Sequence, residues 1–149
     1  MSYNCAVILA GGEGTRMHSN KPKVMAELLF KPMIDHVLSA ALKAGVSEIC
    51  VVTGYRADVL EAHLEGRAHT VRQAERLGTG HAVMQAAEYL RNNAFDNVLI
   101  LNGDAPFMDS DTITQALAYH ENRGFAQTVI SAKIENPFGY GRIVRDFNG

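Results

Sequence analysis

The chain has 149 residues, of which 47% are hydrophobic and 20% are charged, a balance typical of one globular domain. This composition excludes a disordered tail, a collagen-like fibre and a disulfide-dense secreted module. Fourteen Lys and Arg against sixteen Asp and Glu give a net charge of −2, so no basic field points to nucleic acid or to a membrane surface as a partner. No stretch approaches the roughly 20 apolar residues that span a bilayer, and the first residues lack a secretory pattern, so we expect a cytoplasmic protein.

Short apolar runs alternate with helical patterns along the whole chain. In chain order, strands are predicted at residues 5–10, 48–53, 68–72, 97–102, 126–133 and 141–145. Helices are predicted before Gly45, before Gly66, over residues 79–91, and from a cap at Asp109 or Ser110 to Gly124. This alternation predicts an α/β domain spanning residues 1–149, with a Rossmann-like, doubly wound, mainly parallel sheet and helices on both of its faces. In such sheets ligands bind beyond the carboxyl ends of the strands.

A glycine cluster follows the first predicted strand directly. Gly11, Gly12 and Gly14 let the backbone approach a ligand closely and turn N–H groups toward an anion. A dinucleotide fingerprint would need glycine where Met17 stands, and a P-loop would need Ser or Thr after Lys21, where proline stands. Neither motif fits, which leaves either a plain turn or a phosphate-binding loop of another kind.

Three cations lie close behind these glycines. Arg16, Lys21 and Lys23 fall within eight residues of a slightly acidic chain. Arginine offers a planar fork to phosphate oxygens, and lysine offers a compact point charge. Each alone is most often a solvated surface charge, but together, beside a glycine loop at a strand end, they favour an anion site.

The loop after the third predicted strand carries a second candidate site. Gln73 can donate and accept hydrogen bonds, which suits the imide edge of uracil. Gly78 permits close backbone approach, and Thr79 is predicted to cap the helix that follows. A capped helix start without any ligand is the alternative interpretation.

A third candidate lies at the end of the fourth predicted strand, where the sequence reads Asn102-Gly103-Asp104. A carboxylate at the carboxyl edge of a sheet is well placed to hold hydrated Mg²⁺, which takes only one or two protein carboxylates besides phosphate oxygens. An aspartate that merely stabilises a turn is the alternative.

The residues from Leu9 to Met17, followed by Lys21-Pro22-Lys23-Val24-Met25, resemble the signature of the sugar-phosphate nucleotidyltransferases. The resemblance is strongest to the uridylyltransferase (pyrophosphorylase) domains that make UDP-N-acetylglucosamine and pyrophosphate from UTP and N-acetylglucosamine 1-phosphate. It implies the nucleotide-diphospho-sugar transferase type of fold. The guanylyltransferases of the molybdenum cofactor share the opening glycines, but their loop reads differently after the arginine.

The resemblance implies a role for particular residues. Arg16 and Lys23 are the implied catalytic residues. The implied nucleotide-binding residues are Leu9, Ala10, Gly11, Gly12, Lys23, Gln73, Gly78 and Thr79. The implied sugar-binding residues are Asn102, Gly103, Asp104 and Gly141. Asp104 is also the implied ligand of Mg²⁺, the expected cofactor, and the expected partners are UTP and a sugar 1-phosphate.

The chain is expected to be C-terminally incomplete relative to this family, whose domains continue with further sugar contacts and a second metal ligand. Asn148-Gly149 is a strong hairpin-turn signal, yet no return strand follows it. A truncated nucleotide-binding fragment without turnover is therefore one alternative function. A nucleotidyltransferase for a different sugar phosphate is another, and the oligomeric state stays open.

Overall fold

The computed structural model describes residues 2–14 and 20–146. The chain forms two compact units, Met1–Thr114 and Gln115–Gly149. Within the described residues, no helix is both long enough and apolar enough to cross a bilayer. A single domain over residues 1–149 stays a prediction.

The described residues form six strands and five α-helices. The strands are β1 (Asn4–Leu9), β2 (Glu27–Leu28), β3 (Lys31–Pro32), β4 (Glu48–Thr53), β5 (His69–Arg72) and β6 (Asn97–Asn102). The helices are α1 (Met33–Lys43), α2 (Ala57–Leu64), α3 (Thr79–Gln85), α4 (Ala87–Asn93) and α5 (Ser110–Arg123), with a 3-10 turn at Lys23–Met25.

Strands β5, β4, β1 and β6 lie side by side in that order, and each pairs in parallel with its neighbours. The chain runs outward from β1 through β4 to β5, and then returns to place β6 on the other side of β1. Leu9 faces Val52 on one side and Asn102 on the other, so the carboxyl ends of the strands share one edge. The reversal of direction at β1 is the switch point where ligands bind in doubly wound sheets.

Both faces of this sheet are covered. On one face, Ala82 of α3 and Ala86 at the end of α3 pack against the sheet. The buried cluster there is made of Cys5, Val7, Cys50, Val52, Ala82 and Ala86. The alternate residues of β1 and β4, which point to the opposite face, are also buried: Ala6, Ile8, Ile49 and Val51. The predicted α/β class, with a parallel sheet between two helical layers, is confirmed.

Cys5 and Cys50 are buried free thiols. Burial raises the pKa of Cys5 to about 11 and that of Cys50 to about 12. Since the thiolate is the reactive form, both side chains serve as small apolar residues of the core.

The prediction of one helix over residues 79–91 is wrong in one respect, because the structure has two helices there that meet at Ala86. The N–H of Ala86 bonds to the carbonyl of Val83, three residues back, which is a tight turn rather than α-helical geometry. Thr79 is the first residue of α3, and Gly78 takes the capping position with a φ of 98°. Thr79 therefore does not cap the helix as predicted, whereas Asp109 caps α5 by accepting from the N–H of Thr112 at 2.7 Å.

The strands predicted at residues 126–133 and 141–145 are wrong for the described part of the second unit, which contains no strand. These strands were predicted from the β-propensity of side chains such as Val129 and Val144, which are 60% and 87% exposed in the structure. A strand also needs a neighbour to complete its hydrogen bonds, and none pairs here. The hairpin predicted at Asn148-Gly149 lies outside the described residues.

Candidate functional site

A cavity of about 320 Å³ opens at the carboxyl edge of the parallel sheet. Its walls come from the loops that follow β1, β5 and β6 and from the turn at Lys23. It is lined by Leu9, Ala10, Gly11, Gly12, Lys23, Val24, Gln73, Arg76, Gly78, Thr79, Ala82, Asn102 and Asp104. The structure therefore brings together ten of the residues that the sequence predicted for nucleotide, sugar and metal.

The glycine loop after β1 is held by its backbone. The N–H of Ala10 bonds to the carbonyl of Val52 at 2.9 Å, and the carbonyl of Gly11 accepts from the N–H of Tyr55 at 3.3 Å. A Cβ on Gly54 would lie 2.7 Å from the carbonyl oxygen of Gly11, so the loops after β1 and β4 meet closely without side chains. Among the described residues, the N–H groups of Gly11 and Gly12 have no protein acceptor, which leaves them available to an anion.

Opposite charges meet inside the cavity. Lys23 Nζ lies 2.5 Å from Asp104 Oδ2, and the two side chains are 41% and 36% exposed. Lys23 opens the 3-10 turn that begins directly after Pro22. Asp104 stands in a turn closed by the N–H of Ala105 bonding to the carbonyl of Asn102 at 3.1 Å. A cation and a carboxylate of different loops thus face the same ligand space.

Gln73 forms the buried end of the cavity. Its N–H bonds to the carbonyl of Thr53 at 2.9 Å, which places the residue at the end of the sheet. The side chain is almost fully enclosed, since Gln73 is only 7% exposed. Its Nε2 donates to the carbonyl of Gly78 at 3.2 Å and lies 3.1 Å from His81 Nδ1.

Two residues near the ligand space were missed by the sequence reasoning. Arg76 lines the cavity, and its Nη1 lies 2.5 Å from Glu13 Oε2, which ties the loop after β5 to the glycine loop. The other is His81, whose Nδ1 lies 3.1 Å from Gln73 Nε2. The signal for Arg76 was present, because a cation in a loop at this edge supports an anion site by the same reasoning as Lys23.

The remaining three predicted site residues are Arg16, Gly141 and Gly103. Arg16 lies outside the described residues. Gly141 belongs to the second compact unit, and its sugar contact stays a prediction. Gly103 lies between Asn102 and Asp104 and is buried, with its N–H bonded to the carbonyl of Leu9 at 2.9 Å.

Among the described residues, the cavity offers one carboxylate to a metal ion. Over residues 2–14 and 20–146, no group of three His, Cys, Asp or Glu side chains comes together as a complete metal site. Of the described carboxylates, only that of Asp104 lines the cavity. Mg²⁺ keeps several waters and takes one or two carboxylates with substrate phosphates, so this single carboxylate beside the glycine loop is compatible with the ion.

A known family model matches most of the chain. The family model for the MobA-like NTP transferase domain matches residues 6–146, which is nearly the whole chain. The chain belongs to this family. Membership of this family supports an enzyme of the nucleotidyltransferase class.

The curated relatives of this MobA-like domain include several bifunctional GlmU proteins. The chain is 43% identical to the bifunctional protein GlmU of Clostridium tetani, over 99% of this chain and 32% of that protein. It is 40% identical to the bifunctional protein GlmU of Enterococcus faecalis, over 100% of this chain and 32% of that protein. The resemblance predicted from the motifs is confirmed, and the chain spans about a third of the length of these relatives.

Solved structures share the fold. A nucleotidyl transferase from Methanothermobacter superposes with a TM-score of 0.63 at 27% identity, covering 78% of this chain and 57% of that one. A UDP-glucose pyrophosphorylase complexed with UDP-glucose superposes with a TM-score of 0.67 at 22% identity, covering 83% and 55%. The nucleotide-diphospho-sugar transferase type of fold is therefore confirmed for this MobA-like domain.

Proposed function

We propose that this chain is a nucleotidyltransferase that transfers UMP from UTP to N-acetylglucosamine 1-phosphate. In the reaction, a phosphate oxygen of the sugar 1-phosphate forms a bond to the α-phosphorus of UTP, and the bond from that phosphorus to the bridging oxygen of the β-phosphate breaks. The products are UDP-N-acetylglucosamine and pyrophosphate, which carries away the electron pair of the broken bond. UDP-N-acetylglucosamine is a precursor for peptidoglycan and lipopolysaccharide, and we place the reaction in the cytoplasm.

The observation that carries the proposal is the meeting of three loops in one cavity. Gly11 and Gly12, whose N–H groups have no protein acceptor among the described residues, line a cavity of about 320 Å³ together with Gln73, Lys23 and Asp104. A nucleoside triphosphate needs these chemistries together: backbone donors and a cation for phosphate, an amide for the base, and a carboxylate for the accompanying ion. The 43% identity to a GlmU protein supports the choice of uridine and of the acetylated sugar.

We assign the base and sugar ends of the cavity from the residues that line it. Gln73, Gly78 and Thr79 form the end of the cavity that we assign to uracil. Asn102 and Asp104 form the end that we assign to the sugar phosphate, with Gly103 between them and Gly141 as a further proposed contact. Leu9 and Ala10 also line the cavity and are proposed to contact the nucleotide.

Catalysis in this proposal rests on positioning and charge. Lys23, with Arg16 as its proposed companion, neutralises the triphosphate and the charge that develops on the leaving pyrophosphate. Asp104 is the residue that would hold Mg²⁺, whose positive charge stabilises phosphate oxygens when it is bound. The attacking phosphate is already ionised at neutral pH, because its second pKa is about 6, so no protein residue need remove a proton.

The test is pyrophosphate release by the chain with UTP, Mg²⁺ and N-acetylglucosamine 1-phosphate. UTP binding is measured in parallel by calorimetry. GTP in place of UTP, and glucose 1-phosphate in place of the acetylated sugar, serve as matched substrate controls. We expect release with the first pair and much less when either partner is exchanged.

The other outcomes are equally informative. UTP binding without pyrophosphate release would support a nucleotide-binding module without turnover. Faster release with another sugar phosphate would support the same chemistry on a different acceptor. A chain that binds no nucleoside triphosphate would contradict the proposal altogether.

A further inference from the structure

The side-chain amide of Gln73 has a defined orientation in the free protein. Its nitrogen lies 3.2 Å from the carbonyl oxygen of Gly78. A backbone carbonyl can only accept a hydrogen bond, so the group that faces Gly78 is the NH₂ and not the oxygen. The amide oxygen therefore points away from Gly78.

That oxygen lies toward the glycine loop. An added Cβ on Gly11 would stand 3.1 Å from Gln73 Oε1, which locates the oxygen beside the first cavity glycine. No described residue donates a hydrogen bond to this oxygen. Every fully enclosed side-chain nitrogen or oxygen of the described residues has a hydrogen-bond partner, so an oxygen without one is not fully enclosed. Gln73 Oε1 is accordingly an acceptor that a ligand in the cavity can reach.

His81 engages the second amide hydrogen of Gln73. Its Nδ1 lies 3.1 Å from Gln73 Nε2, and with the donor fixed by Gly78, Nδ1 is the acceptor. A neutral imidazole then carries its hydrogen on Nε2. Gln85 Nε2 lies 3.2 Å from His81 Nε2 and donates to the carbonyl of His81 at 3.1 Å, so Gln85 also faces the ring with its NH₂. Gln85 is less buried than Gln73 and keeps its bond to the carbonyl, whereas the enclosed NH₂ of Gln73 has only Gly78 and His81 as acceptors among the described residues. We therefore assign the ring hydrogen to Nε2.

We infer that His81 is a positioning residue that selects the base: by accepting the second amide hydrogen of Gln73, it commits Gln73 to offer only an oxygen to the nucleotide. This inference rests on the proposed function. The N3–H of uracil is a donor and matches an acceptor, whereas N3 of cytosine is itself an acceptor and is rejected.

The selection depends on His81 because Gly78 alone holds the amide weakly. Turning the amide over would break two hydrogen bonds when His81 is present and only one when it is absent. The turned amide would then offer its NH₂ to the base, which suits cytosine. One hydrogen bond of this kind corresponds to about a five- to tenfold change in the preference for UTP over CTP.

The experiment compares His81→Ala and His81→Asn with the unaltered chain, using calorimetric affinities for UTP and CTP with Mg²⁺. His81→Ala is expected to lower the ratio of UTP to CTP affinity about five- to tenfold. His81→Asn is expected to restore it, because the Asn amide oxygen can stand where Nδ1 stood. His69→Ala is the matched control, since His69 is exposed at the opposite end of β5 from Gln73.

A second measurement needs no nucleotide. Long-range proton–nitrogen NMR spectra of the free chain show which ring nitrogen of His81 carries the hydrogen, and Nε2–H is expected. A hydrogen on Nδ1 would overturn the inference while leaving the proposed function intact, and so would equal losses of UTP and CTP affinity in His81→Ala. If the unaltered chain binds neither nucleotide, the proposed function fails, and the base-selecting role fails with it.

Discussion

Lys23 and Asp104, which are 81 positions apart in the chain, form an ion pair inside the cavity. In the proposed reaction the two residues have different partners, a phosphate for Lys23 and a metal ion for Asp104. The pair therefore has to separate when substrate and metal bind, since each side chain exchanges the other for a ligand. Both are more than a third exposed, so water already screens their attraction and the separation costs little.

Removing either member of this pair should affect turnover far more than folding. We expect Lys23→Met and Asp104→Asn each to lower kcat/KM at least about a hundredfold, because each removes a charge that faces the reacting phosphates. The free energy of unfolding, measured in urea, should change by less than about 1 kcal/mol, as for other exposed pairs. Asp58→Asn is the control, since Asp58 pairs with Arg56 at 3.3 Å and is 66% exposed; turnover close to that of the unaltered chain in both cavity variants would contradict the assignment.

The same pair predicts opposite effects on metal and nucleotide. Without Lys23, Asp104 is no longer neutralised, so Lys23→Met should bind Mn²⁺ alone up to about fivefold more tightly, while it binds UTP more weakly. Mn²⁺ binding is followed by electron paramagnetic resonance and UTP binding by calorimetry. Asp104→Asn should weaken Mn²⁺ binding, and a parallel fall of both affinities in Lys23→Met would argue against Asp104 as the metal ligand.

Two glycines near the cavity should respond differently to alanine. A Cβ on Gly54 would meet the Gly11 backbone at 2.7 and 2.8 Å, so Gly54→Ala should destabilise the chain by about 1–3 kcal/mol. A Cβ on Gly12 would meet no described atom within 4 Å, so Gly12→Ala should keep the stability within about 0.5 kcal/mol. The added methyl group would stand where the ligand approaches, and UTP affinity in calorimetry should fall about tenfold or more; unchanged affinity would place the nucleotide elsewhere.

Stability at low pH should depend on Asp35. Burial alone would raise its pKa, but hydrogen bonds and positive charge from His63 and Arg67 outweigh burial and hold the pKa below the usual 3.8. Because the folded pKa is the lower one, this carboxylate contributes stability above the unfolded pKa and loses that contribution as the pH falls through the folded pKa. Asp35→Ala should cost about 1–3 kcal/mol in urea unfolding at pH 7, and its difference from the unaltered chain should shrink below about pH 4. A difference that stays constant down to pH 2 would mean that the ion pairs contribute nothing.

The central strands could be predicted from the sequence almost to the residue. Residues 48–53 and 97–102 became β4 and β6 with the predicted bounds, because short apolar runs between turn residues have few other ways to be buried. The break at Ala86 could not be predicted, since apolar spacing continues across it and only one hydrogen bond marks the change. The strand predicted at residues 126–133 failed because propensity says nothing about whether a neighbouring strand is present.

The cavity was predictable for a geometrical reason. Parallel strands end at a common edge, so loops far apart in sequence had to converge there. The contacts within it were not predictable in the same way. The Glu13–Arg76 and Gln73–His81 contacts depend on how two loops and one helix turn relative to each other, which no local pattern in the chain encodes.

The strand order has a consequence for the timing of folding. Asn4 pairs with Asn97, so the sheet closes only after the chain has been made as far as β6, and contacts of such long range form slowly. A nascent chain that has completed β5 already contains the glycine loop and Gln73, yet it lacks Asp104. Under the proposed function, the capacity to bind substrate together with metal should therefore appear in one late step, when β6 docks against β1.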